Sequence, residues 1–460
     1  MKFGGKSLAD GNFKRLAKIV AEHARKGDKI IVVISALEGV TDRLSEYSHE
    51  AKKGRMDRVL KFIQDLERKH AIPIDRSIKN EYWKNKVRKR VKEIINDLEK
   101  VLTGIVYLGE LTPKSEDYVL SFGEKLSTWI AWGAIQDLGL RSEYFTGGDA
   151  GILTDSNFGE ATPLLNVTKH QVKTRLEPLI LKGIIPVITG YIGVTQNGAI
   201  TTLGRGGSDY TATIIGASIK ADEVWIWTNV DGLMSADPEI VSSAKLIPEV
   251  SYQEATEMAV FGAKVMHPKA LEPAMEENIP VRVRNIFNLE NSGTLIIKDT
   301  KVKPIDIVKA VTLIKDVALI NISGAGMIGA PGTAAKVFNV LGNEKINILM
   351  ISQSVSEANI SLIIPRRFLE KAINALEIAL LGDGVISEVS AENDVCVVAA
   401  VGAGMKGTPG VASRIFTAVA KKGINVRMIA QGSSELNISF VVKGSEGEEA
   451  VRAIHEEFIG

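Results

Sequence analysis

The sequence predicts an α/β protein: a largely parallel sheet sandwiched by helices, followed by two copies of a small ferredoxin-like βαββαβ module. Three observations carry this. Continuous apolar runs such as Lys29-Ile30-Ile31-Val32-Val33-Ile34 alternate with helical stretches to about residue 300, and such runs suit strands buried on both faces of a parallel sheet. Two glycine-dense turns carry charge, Lys2-Phe3-Gly4-Gly5 and Leu203-Gly204-Arg205-Gly206-Gly207-Ser208-Asp209. Past residue 305 the chain repeats itself at an offset of 78 residues, Gly324 to Gly402.

Taken in order, the first glycine turn leads into a helical stretch around Phe13–His23 and then the Lys29–Ile34 run. Residues 50–105 break the alternation. Met56, Leu60, Ile63 and Leu66 predict the apolar face of one helix, and Val87, Val91, Ile94, Leu98 and Val101 that of a longer one. The basic cluster Lys84, Lys86, Arg88, Lys89, Arg90 reads as a solvated helix face, offset by Glu93, Asp97 and Glu99. Pro186–Tyr191 and Glu223–Gly232 each read as a strand running into a polar or glycine turn. Ligands of parallel sheets bind at the carboxyl ends of the strands, so the glycine turns should converge there. Free N–H groups in such turns form anion-binding concavities. A lysine beside one turn and an arginine and aspartate inside the other suit a phosphate facing a small charged substrate.

In the repeat, Gly324-Ala325-Gly326-Met327 recurs as Gly402-Ala403-Gly404-Met405, and Pro331-Gly332 as Pro409-Gly410. Ile346-Asn347 recurs as Ile424-Asn425, Gln353 as Gln431, and Asn359-Ile360-Ser361 as Asn437-Ile438-Ser439. Each copy reads as one βαββαβ module.

With 460 residues, 45% of them hydrophobic and 24% charged, the chain should hold two or three domains. A net charge of +1 gives no electrostatic case for a nucleic-acid or membrane partner. A single cysteine, Cys396 within an apolar run, excludes an intrachain disulfide and fits a reducing compartment. No signal peptide and no run of 18 apolar residues is present, so the expectation is a cytoplasmic protein.

The series Lys2-Phe3-Gly4-Gly5, Ser35-Ala36 through Gly39-Val40-Thr41, Ser121-Phe122-Gly123-Glu124, Thr202 through Tyr210, and Phe261 through Pro268 resembles the aspartokinases of the amino-acid kinase superfamily. The C-terminal repeats resemble ACT domains. The resemblance implies an amino-acid kinase domain over 1–300 with a helical insertion at about 50–115, and ACT-like regulatory domains over 305–385 and 390–460. It implies phosphorylation of L-aspartate by ATP with Mg²⁺ to 4-phospho-L-aspartate, the first step of the lysine, threonine and methionine branch. No protein metal ligand is expected. The alternatives are a glutamate or N-acetylglutamate kinase, or a non-catalytic amino-acid sensor of the same fold.

Taken alone, Lys2 reads as a loose terminal lysine. The resemblance makes it the cation on the transferring phosphoryl group, with Gly4 and Gly5 as backbone donors and Asp209 orienting it. It implies that Arg205 holds the substrate α-carboxylate and Glu124 its ammonium, with Ser35, Thr41 and Ser208 adding hydroxyls. The nucleotide is expected near Thr228, Asn229, Met234, Asp237 and Lys264. The chain departs from the family pattern at Lys6, Asn229, Met234 and Glu239, which bears on the nucleotide more than on the reaction. Family members carry more residues before the lysine, so the expectation is an upstream start or a shortened first strand, with no homoserine dehydrogenase domain after the repeats. For the repeats the resemblance implies a threonine or lysine effector, with a lean to threonine, and a homodimer or homotetramer paired through them. The loop Gly324–Gly329, including Met327 and Gly329, is expected to hold the effector carboxylate, with Asn347, Gln353 and Asn359 fixing the rest and Gln431 and Asn437 serving the second copy.

Overall fold

The computed structural model describes residues 1–261, 266–300, 307–381 and 385–460. The chain forms two compact units. The first comprises Met1–Leu233, Pro248–Tyr252 and Val265–Asp299; the second comprises Met234–Ile247, Gln253–Lys264 and Thr300–Gly460.

The first unit contains β1 (Lys2–Phe3), β2 (Val32–Ile34), β3 (Ser142–Phe145), β4 (Ile185–Thr189), β5 (Ile192–Val194), β6 (Ile200–Thr202), β7 (Val224–Thr228), β8 (Glu249–Ser251), β9 (Val281–Asn285) and β10 (Thr294–Ile297). Among the described residues, eight of these form one sheet in the order β3-β4-β2-β1-β7-β9-β10-β8, and β5 and β6 form a separate hairpin. The pairs from β3 across to β9 are parallel; β10 runs antiparallel to β9. The apolar runs read from sequence are these strands, and Val32, Val33, Ile34, Val187 and Ile188 are all buried.

Residues 40–137 form a helical layer: Val40–Lys52, Met56–Ser77, Glu81–Leu108, Pro113–Leu120 and Phe122–Asp137. Val87, Val91, Ile94 and Leu98 of the long helix are buried as the spacing predicts. The face of Met56–Ser77 is rotated from expectation. Val59, Phe62, Ile63 and Leu66 are buried, while Leu60 is 41% exposed. Phe62 sets this rotation, because its ring stacks on Tyr47 at 4.4 Å and an aromatic ring buries more area than Leu60 or Met56 offers. The basic cluster is a paired helix face: Arg88 meets Asp75, Arg90 meets Glu93 at 2.8 Å, and Lys86 lies over Trp83 and Trp132.

The second unit carries β11 (Ala310–Ser323), β12 (Met350–Gln353), β13 (Asn359–Pro365), β14 (Glu388–Val401), β15 (Met428–Ala430) and β16 (Asn437–Lys443) in one antiparallel sheet ordered β12-β13-β11-β14-β16-β15. The 78-residue offset carries β11 onto β14, β13 onto β16, helix Thr333–Asn343 onto Val411–Lys421, and helix Leu369–Leu380 onto Gly447–Phe458. The two βαββαβ modules share their long strands within this sheet. β11 and β14 are each 14 residues long and pair along their length, Ala310 opposite Val401 and Ser323 opposite Glu388. Half of each strand serves each module, so the fourth strand of the second copy is Ala310–Ile314, which precedes the first copy in the chain. Cys396 lies in β14, buried, with burial pushing its thiol up to about 11.

Phe62→Ala should destabilise the protein by about 3–5 kcal/mol and Leu60→Ala by less than ~0.5 kcal/mol, since only the first leaves a core cavity. Chemical denaturation of both variants measures this; equal losses would place the face where the spacing alone put it.

Candidate functional site

Parallel register brings four strand ends to one level. Phe3 of β1 lies beside Ile34 of β2 and Trp227 of β7, and Ile34 lies beside Thr189 of β4. The next residues, Gly4, Ser35, Gly190 and Thr228, therefore emerge together. The Gly4 N–H donates to the Trp227 carbonyl at 3.2 Å, which corrects the expectation of Gly4 as a phosphate donor because its N–H is taken by the neighbouring strand, and the Ser7 hydroxyl donates to the same carbonyl at 2.9 Å. These bonds turn the chain sharply after Phe3, whose ring stacks on Trp227.

The second glycine turn begins the helix Gly207–Ile219. Gly206 caps it at φ 75°, and a Cβ there would lie 2.4 Å from Cβ of His267, so both conformation and space require glycine. Gly190 has the same function for packing, because its Cβ would meet that of Ser208 at 2.6 Å. Ser208 and Asp209 stand in the helix's first turn, where N–H groups and the helix dipole favour anions.

Lys2 Nζ lies 2.6 Å from Asp209 Oδ1, with both side chains about one-tenth exposed. The contact is an ion pair whose angles fall outside hydrogen-bond geometry, leaving Oδ1 without a formal donor. The Ser208 and Ser35 hydroxyls approach at 3.4 Å, and the Ser35 carbonyl accepts from the Ser127 hydroxyl at 2.7 Å. Glu124 stands on helix Phe122–Asp137 at 2% exposure. Its Oε1 accepts from the Ala36 N–H at 3.1 Å, while its buried Oε2 has no partner. Burial pushes the Glu124 carboxyl up to about 8, against weaker opposing effects of the Ala36 N–H and the Lys2 charge. A cation, two hydroxyls, a helix N-terminus and an unsatisfied buried carboxyl thus share one end of the sheet.

A model described as the Amino acid kinase family matches residues 1–285, and one described as the ACT domain matches 320–380 and 398–458. Aspartokinase 1, chloroplastic, of Arabidopsis thaliana is 32% identical over 475 residues, spanning 100% of this chain and 79% of that protein. This chain belongs to the aspartokinase family. The bifunctional aspartokinase/homoserine dehydrogenase 1 of A. thaliana is 35% identical over 99% of the chain, and the chain spans about half the length (50%) of that relative. Among solved structures, E. coli aspartokinase III in complex with aspartate and ADP is similar with a TM-score of 0.82 at 28% identity, covering 100% of this chain and 99% of that one. The same E. coli protein in complex with lysine and aspartate gives 0.78 at 28% identity with the same coverage.

The structure brings Lys2, Gly4, Ser35, Glu124, Ser208 and Asp209 together. Arg205 is exposed in the turn before the helix, and Thr41 is half-buried on helix Val40–Lys52. Thr228 ends β7, where its carbonyl accepts from Ile286 N–H, and Asn229 is exposed. Met234 and Asp237 belong to the second unit, where Met234 bridges Leu246 and Asp237 accepts from the Glu239 N–H at 3.0 Å. Lys6 is exposed. Lys264 lies outside the described residues.

Asp117 was missed from sequence. It is 1% exposed and accepts from the Thr202 N–H at 2.9 Å, the Thr202 hydroxyl at 2.7 Å and the Gly159 N–H at 3.0 Å. It thereby ties the end of β6 in place just before Arg205. Burial raises its carboxyl above the usual range, opposed by these bonds. The signal was its spacing, since Asp117, Ser121 and Glu124 follow at four and three residues, as one helix face would.

In the second unit, Asn347, Gln353 and Gln431 are exposed and Asn359 is half-buried. Two expectations for the glycine loop are corrected. The Met327 side chain is 1% exposed in the module core and its N–H donates to the Gly324 carbonyl. The Gly329 N–H donates to Glu357 at 2.9 Å, as Gly407 does to Glu435 at 2.7 Å. Their donors are taken internally because the glutamates sit in left-handed turn positions facing the loop. Among the described residues, Ala325 N–H has no protein acceptor, which moves the loop's free donor toward its start.

Between an ordinary glutamate pKa and about 8, folded Glu124 keeps a proton that the unfolded chain has released, so its contribution to stability is lost as pH rises through about 8. Glu124→Gln, which removes this titration, should therefore gain on the parent protein by roughly 2–4 kcal/mol between about pH 5 and pH 9. Denaturation at both pH values measures it; a constant difference would mean that Glu124 is ionised throughout.

Proposed function

We propose that this chain is an aspartate kinase, transferring the γ-phosphoryl group of ATP to the side-chain carboxylate of L-aspartate. The observation that carries the reading is the buried, unpartnered Glu124 Oε2 beside the Lys2–Asp209 pair. A buried acceptor without a donor is costly, and a substrate ammonium meets that need. The likeness to an E. coli enzyme solved with aspartate and ADP supports the same reading.

The nucleophile is already an anion, so the reaction needs positioning and charge cancellation rather than a strong base. An aspartate carboxylate oxygen attacks the γ-phosphorus, the bond to the bridging oxygen breaks, and ADP leaves with that electron pair. Lys2 balances charge on the transferring group, held by Asp209. Gly5 lines the phosphates, with Thr228 and Asn229 toward the nucleotide. Arg205 offers a planar fork to the α-carboxylate, Glu124 takes the ammonium, and Ser35, Thr41 and Ser208 supply hydroxyls. Mg²⁺ would accompany ATP, where it would cancel charge on the transferring phosphoryl group.

The repeats are proposed as amino-acid-responsive modules for threonine or lysine, in a cytoplasmic homo-oligomer. Ile351 on edge strand β12 and Ile429 on edge strand β15 are 44% and 46% exposed, apolar edges of the kind that pair with another chain. The step stands at the head of the lysine, threonine and methionine branch.

Aspartate should support ADP release, with the acyl phosphate trapped by hydroxylamine; turnover with N-acetylglutamate instead would reject the assignment. Lys2→Ala should lower kcat by about 10²-fold or more with little change in the aspartate KM, and Arg205→Ala should raise that KM by at least about 10-fold. Steady-state kinetics separate the two, and a Lys2 variant altered only in KM would contradict its role.

A further inference from the structure

The two repeats share a glycine loop but differ in what faces it. In the second copy the Ala403 N–H donates to Glu254 Oε1 at 2.7 Å. The other oxygen, Oε2, is held by the Lys309 ammonium at 3.0 Å. Glu254 is fully buried on helix Tyr252–Val260, and one turn later Glu257 accepts from the side chain of Asn437. In the first copy the matching positions are Ala325, Asn359 and, for Lys309, Ser387. Ala325 and Gly326 are exposed where Ala403 is half-buried and Gly404 buried, and the Ser387 hydroxyl turns to the Ser323 carbonyl at 3.1 Å.

A carboxylate gripped by a loop N–H and an ammonium is how the α-carboxylate of a free amino acid would be bound. We propose that the second repeat keeps a carboxylate-binding site which this chain fills with its own Glu254, so that the first repeat alone is open to a free amino acid. The statement about the first repeat rests on reading the repeats as amino-acid-responsive; the carboxylate site itself does not. A tethered carboxylate is present at high effective concentration. Removing it takes that carboxylate from the Ala403 N–H and from the Lys309 ammonium, which also reaches the Thr300 hydroxyl at 3.4 Å, and opens a vacancy that a small free carboxylate can fill.

The test is chemical rescue. Glu254→Ala opens a hole that fits acetate. Its Tm should fall by about 4 °C or more and be regained saturably by about 100 mM acetate but not by chloride at equal ionic strength. Lys309→Met in the same background should abolish the regain. Glu254→Gln, which leaves no hole, should not respond. Absence of an acetate-specific regain, or an equal response in the Gln variant, overturns the proposal. Should Glu254→Ala not fold, its folded yield in acetate against chloride decides the point in the same sense. Calorimetric titration of the parent protein with threonine and with lysine should give at most one site per chain, and two would overturn the asymmetry. Absence of binding by either, with acetate rescue intact, would refute the regulatory reading and leave the carboxylate site standing.

Discussion

The Lys2–Asp209 ion pair is the contact on which the strand-end cluster of the first unit depends. Both side chains are about nine-tenths buried, and removing one member of such a pair costs about 3–5 kcal/mol because the other charge is left alone. The pair also joins two elements far apart in sequence, the first strand and the helix Gly207–Ile219. It forms because β1 lies between β2 and β7 in parallel register and because Gly190 lets Ser208 approach closely. Glu124 follows from the same packing: its carboxyl reaches the Ala36 N–H just past β2, next to that pair, and is neutralised by burial rather than by a partner.

The second unit shows how duplication and function part company. An offset of 78 residues preserves strands, helices and the glutamate clamps on both glycine loops. Among the described residues the symmetry breaks at the start of the loop, where Glu254, held by Lys309, accepts from the Ala403 N–H, while at the matching position Ser387 turns to the Ser323 carbonyl. Exchange of half-strands between β11 and β14 joins the two modules in one six-stranded sheet, with β12 and β15 as its outer strands.

Much of this was legible in sequence because it is periodic or glycine-dependent. The apolar runs of the parallel strands, the repeat offset and the convergence of the Lys2 and Ser208-Asp209 turns all follow from local pattern. Three features were not legible. The rotation of helix Met56–Ser77 depends on Tyr47 as a stacking partner for Phe62, which spacing within the helix does not encode. Asp117 looks like a surface acid until Thr202 and Gly159 are brought against it. The fourth strand of the second module lies before the first module in the chain, and a linear repeat pattern assigns it to the wrong copy. The resemblance to aspartokinases, rather than spacing, singled out Glu124, and its missing hydrogen-bond partner gives that choice a physical basis.

The central claim is that Glu124, held neutral by burial, becomes the carboxylate that receives a substrate ammonium. The most direct measurement is calorimetric titration of the ADP-loaded protein with aspartate at about pH 7 in buffers of different ionisation enthalpy, which counts protons exchanged on binding. The account predicts release of about one proton per aspartate from the parent protein and close to none from Glu124→Gln. Binding with no proton release, or with the same release in the Gln variant, would contradict it.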